Sequence, residues 1–109
     1  MKNLQEIDYK ELKKINKRSI LIIDVREPNE FEASHIPNSI NIPRKLLLKT
    51  PEEFLNEKAY IVCQNGKRSK KVAKKLHRKG FDVCNVTGGT YLYGKNYALV
   101  RYQKASTKK

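Results

Sequence analysis

One segment of the chain, over residues 59–78, constrains the fold more than any other. An apolar run, AYIV at residues 59–62, ends on Cys63 and is followed by a short polar loop over residues 64–68. Apolar residues then recur at helical spacing between residues 72 and 76, among many lysines. The pattern predicts a buried strand, a tight loop and an amphipathic helix, with Cys63 between the strand and the helix N-terminus.

The predicted position of Cys63 favours an anionic sulfur. The N–H groups of a first helical turn have no partner within the helix, and the helix dipole adds partial positive charge. Lys67 and Arg68 add two cations, Gly66 permits backbone conformations that let N–H groups converge, and Ser69 is expected to cap the helix and donate a hydroxyl hydrogen bond. The pattern indicates a nucleophilic thiolate. The alternative is that Cys63 is an inert, buried small hydrophobe.

Strands and helices are predicted to alternate along the chain. Apolar residues at positions 4, 7, 12 and 15 predict a first amphipathic helix, with Asp8 and Glu11 as its capping signal. The continuous apolar run over residues 20–23 is typical of a parallel strand covered on both faces. We expect a three-layer α/β domain with a mainly parallel central sheet, helices on both faces and a site at the carboxyl ends of its strands. The other predicted elements are a helix from Pro28 through Phe31, a strand over 40–42, helical pieces over 44–49 and 51–56, a helix that stops at Gly80, a strand over 81–86 and a helix over 91–102.

The net charge of +13 is concentrated in one half of the chain. Residues 1–57 carry ten basic and ten acidic side chains, whereas residues 58–109 carry fourteen basic side chains and one acidic one, Asp82. Such a field attracts small oxyanions, acidic protein surfaces or RNA. The alternative is a solvated lysine-rich surface that serves solubility. The sequence contains no RNA-reading aromatic motif, so nucleic acid is the disfavoured partner.

Length and cysteine content set further expectations. The 109 residues predict one domain over residues 1–103 and a basic, flexible tail over residues 104–109. We expect a cytoplasmic protein without membrane association, because no signal peptide or long apolar stretch is visible. Cys63 and Cys84 form no CxxC pair, which argues against a zinc site and a thioredoxin-like motif. Cys84 is interpreted as a packing residue, with a resolving thiol as the alternative. The oligomeric state stays open.

Five motifs together resemble a known family, the rhodanese-like sulfurtransferases, specifically the small single-domain kind. Each motif is weak alone, but their order and spacing are specific and extend over nearly the whole chain. They are IDYKEL at residues 7–12, DVREPNEF at 24–31, SHIPNSINIP at 34–43, CQNGKRS at 63–69 and the double glycine at 88–89. The resemblance implies a rhodanese-like fold and sulfurtransferase activity.

The resemblance also implies a mechanism without metal or organic cofactor. The Cys63 thiolate attacks the outer sulfur of thiosulfate or of a persulfide donor, and the resulting persulfide passes its sulfur to cyanide or to a thiol acceptor, a thioredoxin-like protein included. Asp24 and Arg26 are implied to support the site from nearby, and Lys67 and Arg68 to draw in anionic substrate. The implied substrate-binding loop comprises Gln64, Asn65, Gly66, Lys67, Arg68 and Ser69.

The sequence departs from the family pattern at three places. The family usually has glycine where Ser34 and Asn38 stand, and a tryptophan after the double glycine, whose packing role falls here to Tyr93 or a neighbour. None of these changes removes an atom of the predicted site. They leave the acceptor preference open.

Two other functions are compatible with this kind of fold. One alternative is a phosphatase or an arsenate reductase. Certain dual-specificity phosphatases share the fold and place five residues between cysteine and arginine, whereas four separate Cys63 from Arg68. The shorter loop favours sulfur over phosphorus. Non-catalytic rhodanese-like modules serve only for protein binding but typically lack the cysteine. His35 is interpreted as structural rather than as a base for Cys63, and His77 is assigned no role.

Overall fold

Five parallel strands form the central sheet. The computed structural model describes residues 3–17 and 19–102. In chain order the strands are β1 (Gln5–Asp8), β2 (Leu21–Asp24), β3 (Ser34–His35), β4 (Ser39–Asn41), β5 (Ala59–Val62), β6 (Val83–Thr87) and β7 (Val100–Arg101). The order across the central sheet is β1-β6-β5-β2-β4, and β3 pairs antiparallel with β7 in a separate two-stranded sheet.

Helices cover both faces of the sheet, which confirms the predicted three-layer α/β architecture. Successive residues of β5 point to opposite faces: Ile61 packs with Leu47 and Leu76 on one side, while Val62 packs with Leu12 and Tyr93 on the other. The helices are α1 (Tyr9–Ile15), α2 (Pro28–Ala33), α3 (Arg44–Lys49), α4 (Lys67–Arg78) and α5 (Gly89–Asn96), with a 3₁₀ turn at Pro51–Glu53.

The N-terminal prediction is partly wrong. Residues 5–8 form an edge strand beside β6, and the helix begins only at Tyr9. Asp8 is the helix cap, as predicted, because its Oδ1 accepts the backbone N–H of Glu11 at 2.8 Å. The helical spacing of Leu4 and Ile7 does not reflect one helical face, because Leu4 packs against the core cluster on one side of the sheet and Ile7 against the cluster on the other side.

The C-terminal helix prediction is also partly wrong. Helix α5 begins at Gly89 and ends at Asn96, and Val100–Arg101 turns back to pair with Ser34–His35. An added Cβ at Gly94 would lie 2.6 Å from Leu99 Cδ1, so this glycine lets Leu99 fold back onto the helix. The predicted helical piece over 51–56 is reduced to a three-residue 3₁₀ turn.

Two family departures are accommodated locally. Asn38 adopts a left-handed φ of +71°, and its side-chain amide donates to Asn16 Oδ1 at 3.3 Å. Tyr93 is 1% exposed and sits in the core, where it contacts Tyr97 edge to face. The predicted tail over residues 104–109 lies outside the described residues. None of the helices in the described ranges is long and apolar enough to cross a membrane.

Helix α4 is the most basic element of the fold. Its apolar stripe, Val72, Ala73 and Leu76, is buried as predicted. Most of its basic side chains face solvent, and one of them, Lys70, places Nζ 3.8 Å from Glu6 Oε1. The exposed basic positions of the helix are Lys67, Lys70, Lys71, Lys74, Lys75 and Arg78, and Lys79 follows as its exposed C-cap.

Candidate active site

Cys63 lies immediately after β5, at the carboxyl edge of the sheet, and is fully buried. Its Sγ accepts two backbone hydrogen bonds, from Gly66 N at 3.1 Å and from Ser69 N at 3.2 Å. Hydrogen bonds from N–H groups stabilise an anionic sulfur more than a neutral one. The loop therefore holds the sulfur in a cradle of amides, as the sequence pattern predicts.

Gly66, rather than Ser69, is the N-cap of α4. Gly66 has a φ of +93°, and an added Cβ would lie 3.2 Å from Gly88 N. A left-handed conformation in so tight a space suits glycine alone. The expectation that Ser69 caps the helix is wrong, because Ser69 lies in the first turn, where its N–H binds Cys63. Its buried Oγ has no hydrogen-bond partner among the described residues.

The outer residues of the loop face solvent. Gln64, Asn65 and Lys67 are exposed, and the backbone N–H of Lys67 donates to Asn65 Oδ1 at 3.0 Å. Within the part of the chain that is described, no carboxylate lies within 4 Å of the Lys67 ammonium group. Lys67 therefore contributes positive potential at the rim without a neutralising neighbour.

The Arg68 side chain binds Glu30 on helix α2. Its two Nη atoms each lie 2.9 Å from a carboxylate oxygen of Glu30, a bidentate ion pair. The hydrogen bond from Arg68 lowers the pKa of Glu30 to about 2, and Glu30 in turn raises the pKa of Arg68. Sequence reasoning missed Glu30, although it lies within the EPNEF motif.

Arg26 and Asp24 form a buried pair that connects β2 to the loop. The Arg26 Nη2 atom lies 2.8 Å from Asp24 Oδ2 and 2.6 Å from the carbonyl oxygen of Ser34, and Nη1 lies 3.0 Å from Gln64 Oε1. Both charged side chains are at most 3% exposed. One guanidinium thus fixes the residue after Cys63 to the end of the neighbouring strand. No feature of the sequence predicts that Arg26 contacts the carbonyl oxygen of Ser34 and the side-chain amide of Gln64.

The double glycine at residues 88–89 allows the start of α5 to pack directly against the cysteine loop. The first N–H groups of the helix donate to the loop carbonyls: Thr90 N lies 2.9 Å from Cys63 O, and Tyr91 N lies 2.9 Å from Gln64 O. An added Cβ at Gly89 would lie only 2.4 Å from Cys63 O. The glycine therefore permits a contact between helix and loop that no side chain would allow.

The remaining candidates lie away from this cradle or serve packing. Cys84 is buried in β6, and burial raises the pKa of its thiol, which opposes thiolate formation. His35 Nδ1 lies 2.8 Å from the carbonyl oxygen of Phe31, and the two rings stack with centroids 3.8 Å apart. This geometry agrees with a structural interpretation of His35.

The sequence of residues 8–96 matches the family described as the Rhodanese-like domain. The chain belongs to the rhodanese-like family. This rhodanese-like chain is 38% identical over 96 residues to an uncharacterized protein of Bacillus subtilis, YqhL, covering 86% of this chain and 73% of the relative. It is 29% identical over 99 residues to the thiosulfate sulfurtransferase GlpE of Pseudomonas syringae, covering 89% and 93% of the two chains. It spans 40% of the length of another Bacillus subtilis relative, the putative sulfur carrier protein YrkF.

Solved rhodanese structures have the same fold. A rhodanese-like domain protein from Staphylococcus aureus superimposes with a TM-score of 0.79 at 34% identity, covering 92% of this chain and all of that one. Family membership, the sulfurtransferase names of relatives and the amide cradle together favour sulfur transfer in general.

Proposed function

We propose that this rhodanese-like protein is a sulfurtransferase that carries sulfane sulfur on Cys63. The observation that carries the proposal is the pair of backbone N–H groups, of Gly66 and Ser69, that converge on Cys63 Sγ at 3.1 and 3.2 Å. These groups are fixed by the fold and need no reorganisation when negative charge develops on sulfur. Two further observations support the proposal. Relatives of the chain are named sulfurtransferases, and four residues separate Cys63 from Arg68.

The proposed reaction has two steps. In the first, the Cys63 thiolate attacks the outer sulfur of thiosulfate, the S–S bond of the donor breaks, and sulfite leaves with the bonding electron pair. The enzyme then holds a Cys63 persulfide. In the second, cyanide or a thiolate attacks the outer persulfide sulfur, and the electron pair of the broken S–S bond returns to Cys63. Neither step needs a metal or an organic cofactor.

The residues around the cradle have separate roles in this proposal. The loop from Gln64 to Ser69 supplies the N–H groups, and the unpartnered Ser69 hydroxyl is available to donate to the outer persulfide sulfur. Lys67 raises the local concentration of anionic donors. Arg68 acts through position, because its bond to Glu30 fixes the loop against α2. Asp24 and Arg26 fix Gln64 from the other side.

The donor and compartment follow from the same reasoning. Thiosulfate is the donor we propose, because a relative of nearly the same length is named a thiosulfate sulfurtransferase. A relative named a putative sulfur carrier protein supports a protein thiol as one acceptor. The two cysteines are free thiols, which suits a reducing, cytoplasmic compartment.

Mass spectrometry of the intact protein tests the proposal. Incubation with thiosulfate is expected to add one sulfur atom that cyanide then removes. Cys63→Ser should gain none, whereas Cys84→Ser, the matched control in β6, should load like wild type. A wild type that gains no sulfur but hydrolyses an aryl phosphate would replace this function with a phosphatase. Absence of both reactions would leave a binding module.

A further inference from the structure

The solvent-facing side of α4 carries an unbroken row of positive charge. Four exposed basic residues share one side of the helix, opposite its buried apolar residues, and together form what we call the α4 stripe: Lys67, Lys71, Lys74 and Arg78. Successive members are three or four positions apart, so at a rise of about 1.5 Å per residue the stripe is about 16 Å long. It begins directly after the cysteine loop and extends to the C-terminal end of the helix.

The charge of the stripe is not compensated within the protein. Helix α4 contains no acidic residue, and over residues 3–17 and 19–102 no carboxylate lies within 4 Å of a cationic group of the stripe. Like charges four residues apart on a helix repel each other, so the arrangement opposes helix formation. A surface that serves solubility alone mixes both signs, as α1 does with Glu11 among its lysines. A negatively charged partner would relieve the repulsion.

The composition of the stripe favours carboxylates over nucleic acid or lipid. The large apolar side chains that are exposed in the described part of the chain all lie outside α4, so this face offers no aromatic platform for bases and no apolar wedge for a membrane. Phosphate recognition favours the planar fork of arginine, whereas three of the four stripe residues are lysines. The arginine nearest the cysteine, Arg68, is already bound to Glu30.

We infer that the α4 stripe is a docking surface for an acidic segment of a partner protein. Carboxylates at alternate positions of an extended segment recur about every 6.6 Å, close to the spacing of about 4.5–6 Å between successive stripe residues. Because Lys67 is the first residue of α4, a segment docked along the whole stripe would reach the rim of the cysteine loop. The inference goes beyond sulfur transfer, since it concerns a surface whose charge does not depend on the state of Cys63.

The chemistry of the surface also determines the kind of complex. The apolar residues of α4 are buried, so the contact is electrostatic and offers no hydrophobic core to a permanent interface. Such contacts form quickly through long-range attraction and weaken as salt is added. We therefore expect a transient complex with a strong dependence on ionic strength.

Titration with a defined acidic peptide tests the inference. A ten-residue peptide with blocked termini, in which Glu and Ser alternate, carries five carboxylates, and its counterpart with Gln in place of Glu carries none. Added to ¹⁵N-labelled protein at about 0.05 M salt, the acidic peptide is expected to shift the amide resonances of Lys71, Lys74 and Arg78, and the neutral peptide to shift none. Raising the salt to about 0.2 M should weaken binding several-fold.

Charge reversal within the stripe provides the matched comparison. Lys71→Glu/Lys74→Glu should raise the dissociation constant of the acidic peptide about fivefold or more. Lys14→Glu/Lys17→Glu changes the net charge by the same amount at exposed positions near the end of α1, on the other face of the sheet, and should change it less than about twofold. Equal losses in the two double variants would overturn the inference, because net charge alone would then explain binding.

Two further probes decide the class of partner. Hexauridylate carries five phosphates, as many charges as the peptide has carboxylates, and vesicles of phosphatidylcholine and phosphatidylglycerol present lipid phosphates. Hexauridylate should bind less tightly than the acidic peptide at the same salt, and the protein should not sediment with the vesicles. Tighter binding of hexauridylate would overturn the inference in favour of RNA, and co-sedimentation would overturn it in favour of a membrane surface.

Sulfur loading separates this inference from the proposed function. At saturating thiosulfate, Lys71→Glu/Lys74→Glu should load sulfur on Cys63 like wild type, because neither lysine belongs to the cysteine loop. Failure of both proteins to load sulfur would contradict the proposed function and leave the peptide titration valid. Amide shifts spread equally over α1 and α4 would contradict the docking surface alone.

Discussion

Arg68 donates two hydrogen bonds of 2.9 Å, one from each Nη atom, to the two carboxylate oxygens of Glu30. This pair connects the cysteine loop to helix α2. The side chain that the sequence pattern offers as an attractor of anions is therefore largely neutralised by a carboxylate 38 positions away. Lys67 keeps its charge at the rim. The loop thus combines a fixed anchor with an exposed cation.

Glu30→Gln should lower stability in a pH-dependent way. The pKa of Glu30 is lowered from 4.5 to about 2, chiefly by the hydrogen bond from Arg68, so its contribution is fully present above about pH 4.5 and is lost as the pH falls through about 2. Because both side chains are partly exposed, the loss at pH 7 should be about 1 kcal/mol or less. Urea unfolding of variant and wild type at several pH values measures it. Glu32→Gln on the same helix is the control, and a difference that persists unchanged at pH 2 would contradict the prediction.

Gly89→Ala should damage the site more than Gly80→Ala. Both glycines have positive φ, but an added Cβ at Gly89 would meet Cys63 O at 2.4 Å, whereas nothing lies within 4 Å at Gly80. Gly80→Ala should cost about 1–2 kcal/mol from its backbone conformation alone. Gly89→Ala should cost more and also slow sulfur loading, because the loop carbonyl must move. Urea unfolding and mass spectrometry compare the two, and equal effects would argue against a close helix–loop contact.

Arg26→Met should destabilise the protein strongly. It leaves the Asp24 carboxylate buried without its guanidinium, a change that typically costs about 3–5 kcal/mol. The double variant Asp24→Asn/Arg26→Met removes the charge as well and should recover part of that loss. The free energy of unfolding in urea gives both values. A double variant no more stable than Arg26→Met would show that the uncompensated charge is not the cause.

Thiosulfate turnover should weaken as salt is added. The chain carries +13, and Lys67 lies at the rim of the cradle. Salt screens the attraction between exposed charges, and at about 0.1 M salt it does so beyond about 10 Å. The KM for thiosulfate should therefore rise as the ionic strength is increased. Lys67→Gln should flatten this dependence, whereas Lys75→Gln, farther along the same helix, should change it less. If the KM does not depend on salt, the positive charge of the chain does not attract thiosulfate, and the interpretation as a surface that serves solubility is favoured.

Local signals were sufficient where one segment determines its own structure. The strand over residues 59–62, the cap at Asp8 and the start of α2 at Pro28 follow from residue types in sequence order. So does the position of Cys63 before a helix N-terminus. The family motifs add the order of the elements, and the solved structure of a rhodanese-like domain protein with a TM-score of 0.79 confirms the fold.

Local signals failed where a distant segment competes for the same backbone. Leu4 and Ile7 have helical spacing, but β6 offers residues 5–8 a ladder of hydrogen bonds. Val100 and Arg101 leave the helical pattern because β3 pairs with them. Edge strands of this kind depend on a partner elsewhere in the chain.

The sequence by itself determined that a cysteine stands at the end of a strand and before a helix N-terminus, within the basic half of the chain. Only the tertiary structure decided that Gly66 rather than Ser69 caps α4 and that Arg68 binds Glu30. It also decided that α5 contacts the Cys63 carbonyl, which requires a residue without a side chain at Gly89. The reason is physical. Residue types limit which groups carry charge or take positive φ, whereas the partner of each group depends on which segments the packed sheet brings within hydrogen-bond distance.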